Sequence, residues 1–90
     1  MIEIFIAEEF EKHYQKLPLS IQKKAEKKEQ IFRQNPFYPS LRTEKLEPRH
    51  KETWSFRIDR EYRILFRYLG PNKVIFLICG HHNWIYKYRF

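Results

Sequence analysis

Ninety residues suffice for one domain with a modest core, so the aromatic side chains, 18% of the chain, must supply much of its volume. Lysine and arginine outnumber aspartate and glutamate by 18 to 11, a net charge of +7 that favours polyanions, an anionic membrane surface or an acidic protein partner. A lone Cys79 excludes an internal disulfide and a cysteine zinc site and reads as core packing in a reducing compartment; with no signal-peptide pattern and no apolar run of membrane-spanning length, the cytoplasm is the expected location.

The stretch Ile2 to Ile6 is short, branched and partly alternating, which predicts a strand. From Ala7 to Lys16 the apolar residues Phe10, Tyr14 and Leu17 fall at helical spacing. Pro18 suits the start of a second helix, whose stripe is Ile21, Ala25 and Phe32 and whose end is Asn35-Pro36. So short a link makes the pair a helical hairpin that lays its thin apolar stripe on a sheet. The run Lys23, Lys24, Lys27, Lys28 reads as a solvated face.

Residues 35 to 51 hold Pro36, Pro39 and Pro48, with Leu41 and Leu46 as anchors, and read as an ordered connection with room for one short strand. Beyond them Trp54, Phe56 and Ile58 alternate with Ser55, Arg57 and Asp59, then Tyr62, Ile64, Phe66 and Tyr68 with Arg63, Leu65 and Arg67. Both patterns predict half-buried strands. Gly70-Pro71-Asn72 marks a turn, and Val74 to Cys79 is unbroken apolar sequence, as in a strand covered on both sides. The expected fold is α+β: a single domain over residues 1–90, an N-terminal strand and two-helix hairpin on a twisted, mainly antiparallel sheet of about four strands. There is no repeat, low-complexity stretch or glycine-rich phosphate loop.

Residues opposite each other in an antiparallel hairpin have numbers of constant sum. A sum of 120 pairs Ile58 with Tyr62, Phe56 with Ile64 and Trp54 with Phe66, collecting the apolar residues on one face; a sum of 121 mixes charge into both faces. The even sum also sets Arg57 opposite Arg63, a like-charge pair that costs a few tenths to about 1 kcal/mol unless something bridges it. Phosphate is the natural bridge for two planar guanidinium forks. Arg57 reaching Asp59 or a loop carboxylate, with Arg63 extended into water, accounts for the pattern equally well.

The last apolar strand runs into Gly80-His81-His82-Asn83-Trp84-Ile85-Tyr86, imidazoles, an amide and a phenol at the mouth of an arginine-bearing sheet. Cleaving RNA by attack of a 2′-hydroxyl on the adjacent phosphate needs a base, an acid and cations, and histidine titrates nearest neutral pH. His81 and His82 point to opposite faces unless the chain turns directly after Gly80. No metal or cofactor is expected: His13 and His50 complete no ligand set, and adjacent histidines chelate one ion awkwardly. Trp84 and Tyr86 can stack on bases or close the core.

Taken together, Glu44-Lys45-Leu46, Trp54-Ser55-Phe56-Arg57-Ile58, Tyr62-Arg63-Ile64-Leu65-Phe66 and the Gly80 to Tyr86 ending resemble the RelE/ParE superfamily of type II toxins over nearly the whole chain. The ending resembles the Gly-His-His-Asp-x-Val-Tyr of one branch. The resemblance implies a toxin of a toxin–antitoxin system that acts as a ribosome-dependent messenger RNA endonuclease, working without metal and leaving a cyclic phosphate. It implies as partners a cognate antitoxin covering the concave sheet face, a heterotetramer being one form of that complex, together with the ribosome and messenger RNA. Carried over by position, Arg63 stabilises the scissile phosphate, Arg57 contacts it, Tyr86 serves acid–base chemistry or stacking, and His82, with His81 beside it, stands where relatives carry a basic residue. Lys45, Arg49, His50, Lys51 and Arg67 join them as RNA-binding candidates. Two departures stand out: Asn83 replaces the branch's Asp, and Ser55 replaces a Lys of RNA-cleaving relatives. The same architecture supports a ParE-like gyrase inhibitor without nuclease activity as the alternative, and the missing Asp supports a decayed or solitary toxin homologue that only binds.

Overall fold

In the computed structural model, residues 1–46 and 52–88 are described. Strand β1 (Glu3–Ile6) leads into helices α1 (Glu8–Gln15) and α2 (Leu19–Gln34); after a single 3₁₀ turn at Pro39–Leu41 come β2 (Glu44–Leu46), β3 (Thr53–Arg57), β4 (Tyr62–Gly70), β5 (Lys73–His81) and the short helix α3 (His82–Ile85). The five strands form one sheet in the order β1-β5-β4-β3-β2, parallel between β1 and β5 and antiparallel elsewhere. The α+β expectation holds, with five strands where about four were expected, because the short strand allowed in the proline-marked connection forms and pairs with β3.

The hairpin of α1 and α2 is fastened by side chains as well as by its short link. Tyr14 donates its hydroxyl to the carbonyl of Gln22, and the Gln22 amide donates to the carbonyls of Tyr14 and Leu17. The stripe read from the sequence is the buried one: Phe10, Leu17, Ile21, Ala25 and Phe32 all face the sheet. Phe32 stacks on Phe56 at 4.8 Å between centroids and meets Phe66 and Phe76 edge-on. Fully buried aromatic rings of this size carry much of a small core.

The β3–β4 register is the constant sum of 120: Trp54 opposes Phe66, Phe56 opposes Ile64, and Arg57 opposes Arg63. The even-numbered residues accordingly pack under the helices. On β5 the register shifts by one, leaving Leu77 between the partners of Leu65 and Phe66. That irregularity switches the parity of the strand: Ile78 joins Leu65 and Ile85 on the face away from the hairpin, while Cys79 continues the core side of Val74 and Phe76 under α1. The strand is covered on both sides, as its unbroken apolar sequence requires.

Candidate functional site

Three rows of side chains cross the sheet face that α1 and α2 leave open. Arg57, Arg63 and Gly80 form the row nearest the β3–β4 turn; Ser55, Leu65 and Ile78 form the middle; Arg67 and Ile75 form the far row, where Arg67 Nε donates to Thr53 Oγ1 at 3.2 Å. Ile85 seals the apolar middle, and Leu46, Tyr86 and Tyr88 pack against it. Arg63 and Arg67, four residues apart on one strand and so about 13 Å from each other, therefore bracket an apolar patch edged by a phenol.

Arg63 is drawn into the fold, 8% exposed. Its Nη1 donates to the carbonyls of Asp59 at 2.9 Å, Arg60 at 3.1 Å and Tyr62 at 3.1 Å. Neither sequence account of the arginine pair foresaw backbone carbonyls as the partner of Arg63. Asp59 does not reach Arg57 either: its carboxylate pairs with Lys24 of α2 at 3.4 Å and accepts the N–H groups of Glu61 and Tyr62. Burial opposes ionisation of Asp59, but those N–H donors and the Lys24 ammonium outweigh it and hold the carboxyl below the usual range. With one edge of the Arg63 fork anchored, Nη2 and Nε make no bond to a described residue, and no buried polar side-chain atom there lacks a partner. Those two nitrogens thus keep a small exposure to solvent.

The histidines occupy different ground. His81 lies opposite Tyr62, whose ring it meets edge-on at 5.3 Å, and so belongs to the helix-bearing side of the sheet. The chain turns at once into α3, and the rings of His81 and His82 stack with centroids 4.7 Å apart. The two imidazoles therefore share one location instead of splitting between faces. They line a cleft of about 660 Å³ with Lys24, Asp59, Arg60, Glu61 and Asn83. His81 Nε2 lies 3.0 Å from the Glu61 carboxylate, and its Nδ1 accepts the N–H of Asn83 at 3.0 Å, capping α3.

Among the other candidates, Lys45 opposes Trp54 and holds its ammonium 5.9 Å from that ring's centroid, on the helix-bearing face and away from the arginines. Arg49, His50 and Lys51 lie outside the described residues. Ser55 is buried on the open face. Among the described residues no group of three or more His, Cys, Asp or Glu side chains is arranged to hold a metal ion, and no helix is long and apolar enough to cross a membrane.

Glu61 escaped the sequence reading. Extending the constant sum of 143 that the β4–β5 pairs obey near His81 brings Glu61 level with His82, which was the available signal. The turn of residues 59 to 62 is the hub of the site: its carbonyls hold Arg63, the Glu61 side chain holds His81, and the Glu61 carbonyl accepts the His82 N–H at 2.7 Å.

Residues 19–84 match the family model described as the ParE-like toxin domain. Among solved structures, a YoeB/ParE toxin from Agrobacterium tumefaciens superposes with a TM-score of 0.75 at 20% identity, covering 90% of this chain and 99% of that one. The RelB-RelE antitoxin-toxin complex of Methanococcus jannaschii gives 0.72 at 24% identity, covering 93% and 96%. The heterotetrameric YoeB-YefM toxin-antitoxin complex of Staphylococcus aureus gives 0.72 at 20% identity, covering 91% and 98%. Identities at this level establish a shared fold. The sequence has no significant match among curated proteins.

Proposed function

Because the chain belongs to the ParE-like toxin domain family, we propose that it is the toxin of a type II toxin–antitoxin system and that it cleaves messenger RNA on the ribosome. The observation that carries this reading is the arginine pair: Arg57 and Arg63 directly opposite on an open face, with Nη1 of Arg63 fixed by the carbonyls of the turn and its other two nitrogens bonded to no described residue. A preorganised donor aimed at developing phosphate charge is the main demand of phosphodiester transesterification. In the reaction, the RNA 2′-oxygen bonds to phosphorus as its proton leaves to a base, the bond to the 5′-oxygen breaks, and an acid protonates that oxygen, leaving a cyclic phosphate. Arg63 holds the pentavalent charge, Arg57 engages the flanking phosphate, and the Tyr86 hydroxyl or the His82 ring moves the proton. No metal enters this scheme.

The partner implied is a cognate antitoxin that covers the open face; the Staphylococcus aureus relative forms a heterotetramer with its own, and the same stoichiometry is proposed here. Cytoplasmic location follows from translation as the target.

A second reading is favoured by one observation. The histidines sit on the helix-bearing side while the arginines sit on the open face, an arrangement compatible with a ParE-like protein that binds gyrase and cuts nothing. Inducible expression of wild type, Arg57→Ala and Tyr86→Phe, following protein synthesis and mapping new messenger 5′ ends, separates the two. Cuts inside translated codons, weakened in both variants, support the nuclease; arrested replication with intact messages replaces it with gyrase inhibition.

A further inference from the structure

We infer that Glu61 is the positioning residue for the catalytic end of the molecule, acting through the His81 ring that caps α3. The catalytic half of this inference rests on the nuclease reading above; the structural half does not.

A backbone N–H can only donate, so the Asn83 N–H at 3.0 Å requires a bare, accepting Nδ1 on His81. The proton of the neutral ring then sits on Nε2, facing the Glu61 carboxylate at 3.0 Å. One imidazole thereby ties the β3–β4 turn to the first turn of α3. The second tie is the 2.7 Å bond from the His82 N–H to the Glu61 carbonyl. A four-residue helix has little stability of its own, so α3 depends on these ties and on the burial of Ile85. From His81 the constraint passes to His82 by ring stacking, 4.7 Å between centroids and 23° between planes, and along α3 to Tyr86 at the border of the open face.

The cleft's other carboxylate is engaged by other groups. Lys24 pairs with Asp59, whose remaining oxygen accepts the turn's own N–H groups, and Arg60 is exposed on the turn. Glu61 is thus the carboxylate that meets His81. Its side chain is 65% exposed, so it can be replaced without opening the core.

The test records histidine ¹⁵N resonances and backbone amide exchange of the full chain as wild type, Glu61→Gln and Glu61→Ala, alongside message-cleavage kinetics. The expected result is a single Nε2–H tautomer of His81 in wild type and in Glu61→Gln, whose amide oxygen accepts the same bond. Glu61→Ala mixes the tautomers, loses protection at the Asn83 amide, and lowers kcat roughly tenfold or more with KM little changed, as a displaced reacting group does; Glu61→Gln retains most of kcat. Undiminished protection of the Asn83 amide together with an unchanged Nε2–H tautomer in Glu61→Ala overturns the inference, and lost protection with unchanged kcat overturns its catalytic half. If wild type cuts no RNA, the nuclease reading falls, and the tautomer and exchange data alone decide whether Glu61 positions α3.

Discussion

Arg57 and Arg63 stand directly opposite each other across β3 and β4, yet only Arg63 is drawn back into the fold, its Nη1 spread over the carbonyls of Asp59, Arg60 and Tyr62. The turn's carbonyl dipoles thereby stabilise one member of a like-charge pair that would otherwise cost stability. The two arginines are chemically alike and differently held: one is bonded into the scaffold through Nη1, while the other is partly exposed.

Arg63→Ala should lower folding stability as well as activity. It removes a charge-assisted set of bonds and leaves turn carbonyls short of a donor, a loss of about 1.5–3 kcal/mol readable in urea melts. Any activity comparison therefore has to be made at equal folded fraction. A variant within about 0.5 kcal/mol of wild type would show that the turn does not need the guanidinium.

Arg57→Ala should leave stability within about 0.5 kcal/mol and act on binding. For a single-stranded RNA oligonucleotide, the slope of log K against log salt should fall by about 0.7, because one phosphate fewer is neutralised, with weaker affinity across sequences. An unchanged slope would remove Arg57 from the binding face.

That arginine pair was legible in the sequence because the alternation of apolar residues over Trp54–Ile58 and Tyr62–Tyr68 favours an even register over an odd one. The helical hairpin was legible for a similar reason, a 3.6-residue stripe ending at Asn35. What sequence could not supply was anything set by a local departure from periodicity. The shift at Leu77 decides which of Ile78 and Cys79 faces the hairpin, and a turn at His81 puts both imidazoles together. The anchoring of Arg63 depends on where three carbonyls point, which no side-chain pattern encodes. Lys45 reads as a loop cation but pairs with Trp54 because β2, only three residues long, is added to the sheet edge.

Gly80 is required by close approach. A Cβ built there would lie 2.1 Å from Trp84 Cζ2 and within 3 Å of two further atoms of the indole. Since the ring is rigid, Gly80→Ala must displace it, at a cost of about 1–3 kcal/mol, and with it the start of α3. In a Trp84→Ala background the same substitution should cost much less, and a double-mutant cycle by chemical denaturation should return a coupling of about 1 kcal/mol or more. Additive effects would mean that the indole moves aside freely.

Asp59 should make stability acid-sensitive. Its folded pKa is depressed, so its contribution is fully present above the unfolded value of about 3.9 and is lost as pH falls through the lower folded value. Asp59→Asn keeps an oxygen for the N–H groups of Glu61 and Tyr62 and forgoes the charge facing Lys24. Thermal melts from pH 6 to pH 2 should therefore show wild type losing more than the variant, the difference between them shrinking toward pH 2. Parallel curves would show that Asp59 is not the titrating group.

Cys79 reports on how the hairpin opens. Burial pushes its thiol pKa up to about 12, and its Sγ lies 3.9 Å from the Phe10 carbonyl beneath α1. Because the folded pKa is above the unfolded one, the thiol's contribution to stability is whole below about pH 8.5 and declines as pH rises toward 12. A buried neutral thiol is a poor nucleophile, so labelling by a disulfide reagent at neutral pH requires opening of the structure around it. If α1 and β5 separate only on global unfolding, the opening free energy obtained from labelling should equal that from denaturant melts and fall in step with it in Arg63→Ala. A lower opening free energy, insensitive to Arg63, would instead place a local opening of α1 from β5 within the native state.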